Sequence, residues 1–375
     1  MAGSGKPGDC LKVIIAGGGT GGHIFPAIAI AEALKADFPE AIIHFVGTRY
    51  GMETELVPRA GYPLLTLPIR GFLGKGISEK LALLWRLPAS LLISLCLIAR
   101  YRPKVVIGVG GYASGPLLLV AALLRIPTLI QEQNAFPGIT NRLASRVARV
   151  ALCGFAEAAK WLKCPVIVTG NPVRNSLGAA LPWSPERKQI LILGGSQGAR
   201  SLNRILPQLL RETLGEDAPK VVHQCGSRYS EEVKASYEGA AFEVEVTPFI
   251  DNIGDAMNRS LMLICRAGAG TIAELAQMRV PAILVPFPQA AHDHQTYNAR
   301  SLAKSGAVRL LPESQFEQLA DEMRELLDQR ELLGKMASAY PPLVGNAAVR
   351  CAKIAAGLIL GKEVGDLDKE FGTHV

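Results

Sequence analysis

The strongest constraint in this sequence is a device that occurs twice. VIIAGGGTGGH (13–23) and ILILGGSQGA (190–199) are each an apolar strand that breaks into glycines and then opens a helical pattern. Aligning Gly18-Gly19-Thr20 on Gly194-Gly195-Ser196 gives an offset of 176, close to half of the 375 residues. A strand, a tight glycine turn and a helix open a βαβ unit, whose next strand lies parallel. Two such openings half a chain apart predict two similar α/β lobes facing each other across a cleft. The length agrees, because one compact α/β unit seldom grows so large.

Short apolar runs followed by glycine and helical periodicity continue the pattern. In the first half they predict strands at 12–16, 42–46, 105–108, 128–130 and 166–168; in the second, at 190–193, 221–224, 261–264, 282–285 and 307–310. The polar, proline-rich NPVRNSLGAALPWSPERKQ (171–189) predicts a linker. The expected division is a first domain over 1–170, a second over 190–345, and a C-terminal helix and tail over 346–375. That helix is expected to pack back on the first lobe, with 361–375 a polar tail.

Composition removes several classes. Hydrophobic residues are 49% and charged residues 19%, apolar enough for large cores and too apolar for disorder. The seven cysteines are scattered, with no C-x-x-C pair, which argues against a disulfide framework and a structural zinc site. The opening MAGSGKPGDC has no apolar core for a signal peptide, so a reducing cytosol is expected. Aromatics at 6% leave little to stack on bases, so nucleic acid is a poor reason for the net charge of +7.

That charge is concentrated. Arg70, Lys75, Lys80, Arg86, Arg100, Arg102 and Lys104 stand against Glu79 alone, seven minus one, or +6. The same stretch holds LALLWRLPASLLISLCLIA (81–99), the most apolar run of the chain. Arg86 and Pro88 interrupt it, which disfavours a bilayer span. One reading is a core helix with charged ends in water. The other, which we favour, is a helix exposing Ile77, Leu81, Leu84 and Trp85 beside a basic fringe, with residues 75–102 docking on an anionic membrane surface.

The glycine loops carry the chemistry. A strand ending in glycines before a helix presents unpaired N–H groups and a positive dipole end, suited to phosphate. Gly17-x-Gly19-x-x-Gly22 matches the dinucleotide fingerprint, which also needs an acid at the end of the next strand. That strand, in IIHFVGTRYG (42–51), ends in Gly47-Thr48-Arg49, so only a minor NADP reading survives. Neither loop runs into Gly-Lys-Ser/Thr, which excludes a Walker loop. Further glycine turns, GVGGYASGP (108–116) and CRAGAGTIAE (265–274), suggest a site for more than one phosphate. Glycines needed only for tight turns explain some of these, but poorly the paired and tripled runs.

With EQN, GNPVR and HQ-x-x-NA in the same order and spacing, these motifs resemble the MurG family of bacterial glycosyltransferases, family 28, from about Val13 to Ala299. The resemblance implies a GT-B fold of two Rossmann-like lobes, acceptor in the first and UDP-sugar in the second. It implies transfer of GlcNAc from UDP-GlcNAc, with inversion, to the C4 hydroxyl of undecaprenyl-diphospho-MurNAc-pentapeptide (lipid I). The product is lipid II for peptidoglycan, made at the cytoplasmic face of the inner membrane by a peripheral enzyme. Cell-wall-synthesis proteins become possible partners, and no cofactor or metal is implied.

Inverting displacement of UDP needs a base for the acceptor hydroxyl and positive potential on the leaving diphosphate. His23, at a helix start where neutral imidazole is favoured, is by resemblance the base; elsewhere such a histidine is more often a cap or packing group. Ser196 at the second loop and Arg174 of GNPVR would stabilise the diphosphate. The resemblance also carries Thr20, Gly21, Gly22 and Asn134 to the acceptor and sugar, and Tyr112 and Ser114 to the lipid diphosphate. Ile250 goes to uracil; Ala269, Gly270 and Thr271 form the donor loop; Gln295 meets the sugar. Glu274 has two readings: partner of Thr271 in a capping box, or, in the family, acceptor of the ribose hydroxyls.

The chain departs from the family at several points. Gln131 stands where relatives have histidine, so that histidine is not essential here. Gly270 lacks a side chain that could shield the uridine. The variable length of 286–295 leaves Gln295 placed by its neighbours Asn298 and Ala299. Asp366-Leu367-Asp368 and His292-Asp293-His294 read as chance and donor contact respectively, rather than as metal sites. The nearest rival is a related GT-B transferase acting on diacylglycerol; the GNPVR–GGSQGAR–HQ set favours the muramyl lipid. From other classes, a non-catalytic UDP-sugar binder and an NADP oxidoreductase rank far lower.

Overall fold

The computed structural model describes residues 11–71, 77–195, 198–290, 293–342 and 345–373, with side chains absent from the description at 77–81. The chain forms two compact units. One takes the described residues up to Arg174 and again from 345 on; the other runs from Asn175 to 342.

The first unit is built on β1 (Lys12–Ala16), β2 (Ile42–Gly47), β3 (Leu64–Thr66), β4 (Val105–Gly108), β5 (Thr128–Glu132), β6 (Val150–Cys153) and β7 (Val166–Val168). They lie all parallel in the order β3-β2-β1-β4-β5-β6-β7. Alternation along β1 explains the layers. Val13 and Ile15 face one core, with the helices Gly21–Asp37 and Ala347–Ile359, while Ile14 and Ala16 face the other, with Ser114–Leu123 and Ile98.

The second unit repeats the plan with β8 (Gln189–Leu193), β9 (Lys220–Gln224), β10 (Val244–Thr247), β11 (Ser260–Cys265), β12 (Ala282–Leu284) and β13 (Val308–Leu310). Their order is β10-β9-β8-β11-β12-β13, again parallel. In each unit the strand before a glycine loop is central, and the order reverses beside it, between β1 and β4 and between β8 and β11. Open α/β sheets bind ligands outside the carboxyl ends of strands at such a switch point.

Three strands escape the sequence pattern. β3 is short, β6 follows an Ala/Arg-rich stretch that reads as continued helix, and β10 (VEVT) carries a charge within an edge strand. The stretch expected as a linker is packed. Leu177 is buried, and Trp183 donates from Nε1 to Leu261 O at 2.9 Å within the second unit. The expected polar tail is also corrected. Val364–Phe371 is a helix whose Leu367 is fully buried against Gly357, and Thr373 N donates to Val168 O at 2.7 Å. One leucine on the inner face of a short polar helix suffices to dock it, and composition alone hides that. The helix Ala347–Ile359 sits on Gly21–Asp37 in the first unit, its start capped by Asn346 Oδ1 accepting from Ala348 N at 2.9 Å.

Candidate active site

In the first unit, loop 17–20 after β1 meets loop 109–113 after β4. Gly110 has φ +96°, and a Cβ there would run into the His23 ring and approach Asn141 Nδ2 at 3.6 Å. Glycine is therefore required at 110 so that His23 can lie against the backbone. Thr20 Oγ1 is 3.2 Å from His23 Nδ1, and Thr20 is the residue before the helix Gly21–Asp37. In the tautomer donating from Nδ1, the lone pair is on Nε2, on the Gly110 side. Gly21 is buried and Gly22 exposed at this helix start. Arg174 stands over the Phe25 ring at 4.1 Å, so it belongs to the first unit beside this helix.

Around these lies a second loop, held by a buried acid. Glu132 accepts from Asn134 N (2.9 Å), Asn134 Nδ2 (3.1 Å), Gly138 N (3.1 Å) and Asn141 Nδ2 (2.9 Å). Burial pushes its pKa up, and these hydrogen bonds oppose the shift. Gln131 is fully buried in an amide network: its Nε2 donates to Asn171 Oδ1 at 3.3 Å, and Gln133 Nε2 donates to its Oε1 and to Val109 O. Gln131 thus serves as a structural amide in the first unit. Tyr112 packs its ring over Gly71. Ser114 is fully buried and donates from Oγ to Gly111 O at 2.9 Å, which secures the turn at the start of the helix Ser114–Leu123.

The segment directly after β2, Thr48-Arg49-Tyr50-Gly51-Met52, has no acid. The structure supplies one just beyond it, Glu53, the first residue of the helix Glu53–Arg59, buried and turned onto loop 17–20. Its carboxylate accepts from Gly19 N and from Thr48 N and Oγ1. A dinucleotide diphosphate on this loop would face a buried negative charge, and Arg49 donates to Thr66 Oγ1. Both facts count against the NADP reading. An acid in the first turn of a helix ordinarily reads as a dipole partner, which is why the sequence did not single it out.

In the second unit, a Cβ at Gly198 (φ +75°) would strike Cys225 O, and Gly194 N donates to Gln224 O, so both glycines lie against the end of β9. Gln224 Nε2 donates to Gly195 O (3.1 Å) and Pro248 O (3.0 Å), joining Gly195 to the loop carrying half-buried Ile250. Ser196 lies outside the described residues. Beneath, fully buried His223 pairs with Asn203 Oδ1 at 3.1 Å and Tyr237 Oη at 3.0 Å; burial lowers its pKa to about 3, so it is neutral.

The helix Ala269–Met278 begins after Gly268, whose backbone is extended. Thr271 is therefore inside the helix rather than at its cap, and the capping-box reading of Thr271 and Glu274 is corrected. The glycine before Ala269 starts the helix earlier than the Thr-x-x-Glu pattern suggests. Glu274 is buried on the second turn. A Cβ at Gly270 would meet nothing within 4 Å. Arg266, which the sequence reading passed over, is buried, donates to Val285 O (3.1 Å), Pro286 O (3.2 Å) and Ser201 Oγ (2.6 Å), and pairs with Glu313. Gln295 Oε1 accepts from Phe287 N at 3.0 Å, tying the start of the helix His294–Ala303 to the donor-loop segment.

Among the described residues no group of three His, Cys, Asp or Glu side chains could hold a metal ion, and His292 lies outside them. Residues 82–101 of the helix Ile77–Tyr101 are long and apolar enough to cross a membrane by length and composition alone. Its inner side, with Ile98 buried, packs on the first sheet's layer, while Leu84 and Trp85 are exposed. The side chains of Ile77 and Leu81 lie outside the described residues.

The glycosyltransferase family 28 N-terminal domain matches residues 13–153, and the family's C-terminal domain matches 189–353. The UDP-N-acetylglucosamine--N-acetylmuramyl-(pentapeptide) pyrophosphoryl-undecaprenol N-acetylglucosamine transferase of Syntrophotalea carbinolica is 42% identical over 350 residues, covering 92% of this chain and 98% of the relative. The chain belongs to the MurG family of glycosyltransferase family 28. A protein of the same name from Myxococcus xanthus is 43% identical, with 87% of each chain covered. The crystal structure of Acinetobacter baumannii MurG superposes with a TM-score of 0.76 at 32% identity, over 92% of this chain and 99% of that one. The fold of this family member is thus GT-B. A UDP-GlcNAc 2-epimerase from Neisseria meningitidis, at 13% identity and TM-score 0.63, covers 94% of this chain and all of its own; that likeness is of fold alone.

Proposed function

We propose that this MurG-family chain transfers GlcNAc from UDP-GlcNAc to the C4 hydroxyl of lipid I, inverting the anomeric carbon and producing lipid II. What carries the reading is identity above 40% across nearly the whole chain to relatives whose name states this donor and this acceptor. The geometry supports it. The first unit has a histidine at a helix start between two glycine loops, and the second has a glycine loop and a buried glutamate at a matching switch point.

In the reaction, His23 Nε2 takes the proton of the acceptor hydroxyl as its oxygen bonds to the anomeric carbon. The C–O bond to UDP breaks, and the diphosphate leaves with both electrons. With Nδ1 donating to Thr20 Oγ1, the ring keeps Nε2 basic. Arg174 and the N–H groups around Ser196 stabilise the departing charge. Glu274 accepts the ribose hydroxyls, Ile250 borders uracil, Gln295 meets the sugar, and Ala269, Gly270 and Thr271 form the donor loop. Gly21, Gly22, Asn134 and Tyr112 line the acceptor side. The family's peripheral membrane association suits the exposed Leu84 and Trp85, and we place the enzyme on the cytoplasmic face of the bacterial membrane, within reach of other cell-wall-synthesis proteins.

The test is transfer of labelled GlcNAc to a short-chain lipid I analogue with EDTA present, for wild type and His23→Ala. Product from wild type and a loss of about 10²-fold or more in the variant are expected. No product from wild type that still binds UDP-GlcNAc would point to another acceptor, and failure to bind UDP-GlcNAc would sink the reading.

A further inference from the structure

The mechanism above leaves the buried acid Glu53 unused. Glu53 is 1% exposed, yet it sits at the surface-facing carboxyl end of β1 and β2. Burying a carboxylate is costly unless its oxygens are satisfied, and here both are. Oε2 accepts from Gly19 N at 2.8 Å; Oε1 accepts from Thr48 N at 2.8 Å and Thr48 Oγ1 at 2.7 Å. The chain makes room for it: a Cβ at Gly18, Gly47 or Gly51 would run into the Glu53 side chain. Gly18 and Gly19 belong to the loop that ends in Thr20, and Thr20 in turn contacts His23.

We propose that Glu53 is a positioning residue for the acceptor half of the site. Its carboxylate clamps the Gly18–Gly19 backbone from below and thereby sets Thr20 and the His23 ring. The clamp acts through charge-assisted acceptance of a backbone N–H. A neutral isostere cannot replace it, because an amide nitrogen facing either N–H would set donor against donor. Small displacements matter at such a point, since an error of about 1 Å in a reacting group can cost on the order of 10²-fold in rate. The inference rests on the reading of His23 as the base that serves the acceptor.

The experiment is steady-state kinetics of Glu53→Gln with UDP-GlcNAc and a short-chain lipid I analogue, beside thermal melting and UDP binding. The expected result is a split: kcat down about tenfold or more and the KM for the lipid analogue up severalfold, with the KM for UDP-GlcNAc within about twofold of wild type. A variant that matches wild type overturns the proposal. So does one that loses kcat with a lowered melting temperature while both KM values stay put, since that is a purely structural effect. Should Glu53→Gln fail to fold, Thr48→Val, which removes the Oγ1 donor to Glu53 together with the longer bond that Oγ1 accepts from Tyr50 N at 3.3 Å, is read in the same way, and an unchanged KM for the lipid analogue then overturns it. If wild type itself gives no product, the functional reading falls first and this inference with it.

Discussion

The guanidinium carbon of Arg174 stands 4.1 Å from the centroid of the Phe25 ring, two residues past His23 on the same helix. This stack fixes a positive charge on the first unit, against the helix that carries His23, the proposed base. If that charge stabilises the leaving diphosphate, it matters most as negative charge develops in the transition state. Arg174→Gln should then lower kcat about tenfold or more, with little change in the KM for UDP-GlcNAc. Steady-state kinetics with both substrates varied checks this. A change confined to the KM of the lipid analogue would move the charge to the acceptor's diphosphate instead.

Glu274 makes a different prediction, because the helix it sits on begins at Ala269 and leaves it no capping role. A carboxylate accepting ribose hydroxyls contributes roughly 1.5–3 kcal/mol per charge-assisted hydrogen bond. Glu274→Ala should therefore weaken UDP binding about tenfold to a hundredfold, measured by titration calorimetry, while the lipid analogue's KM holds. Unchanged UDP affinity would reduce Glu274 to a packing residue.

His223 predicts an acid-sensitive second unit. Its folded pKa is depressed to about 3, by burial, from an ordinary value of 6.5. The unfolded chain therefore binds a proton below pH 6.5 that the folded chain refuses. Stability is full above that pH and is lost as pH falls from 6.5 toward 3, by up to about 1.4 kcal/mol per pH unit. Denaturant unfolding of the wild type at pH 7 and pH 5 should expose this loss. In His223→Gln, which starts less stable because the Tyr237 and Asn203 contacts change, the slope between those pH values should flatten. An equal slope in both proteins would assign the acid sensitivity to other groups.

The fold was largely legible because its strongest signals are local. An apolar strand running into glycines marks β1 and β8, and the repeat between them implies the two parallel sheets. What stayed hidden depends on contacts between distant residues. Leu367 looks like one apolar residue in a polar tail until Gly357 is seen beneath it. β6 reads as helix until Glu132 and its neighbours on β5 pair with it. Thr271 and Glu274 have the spacing of a capping box, but Gly268 starts the helix first. At the site, Thr20 and His23 follow β1 while Ala269, Gly270, Thr271 and Glu274 follow β11, so part of the set carried over by family resemblance stands at the two switch points. Glu53 and the His223 pair carry no motif, and Arg266 sits inside one without being marked by it, because burial and hydrogen bonding define their roles.

The last prediction concerns the membrane. Leu84 is 74% exposed and Trp85 59%, with the Arg86 guanidinium 5.3 Å from the Trp85 ring. On the same helix Ser90 and Ser94 are buried, Ser94 Oγ donating to Ser90 O at 2.7 Å, and Ile98 joins the core. A helix with one face committed to the sheet layer is held for lying on a bilayer rather than crossing it. Leu123 on the neighbouring helix, 73% exposed, widens the apolar surface, and Arg125 adds charge near it. Burying one such apolar side chain is worth about 2 kcal/mol, so Leu84→Ser with Trp85→Ser should weaken binding to anionic liposomes roughly a hundredfold or more. Turnover of a soluble short-chain acceptor should stay within about twofold of wild type, because neither residue touches the loops around His23. Salt separates the two contributions: it screens the basic fringe and leaves apolar contact intact. At high salt the wild type should retain residual liposome binding that the double variant lacks. Equal sedimentation of both proteins with liposomes at every salt concentration would remove this surface from the membrane.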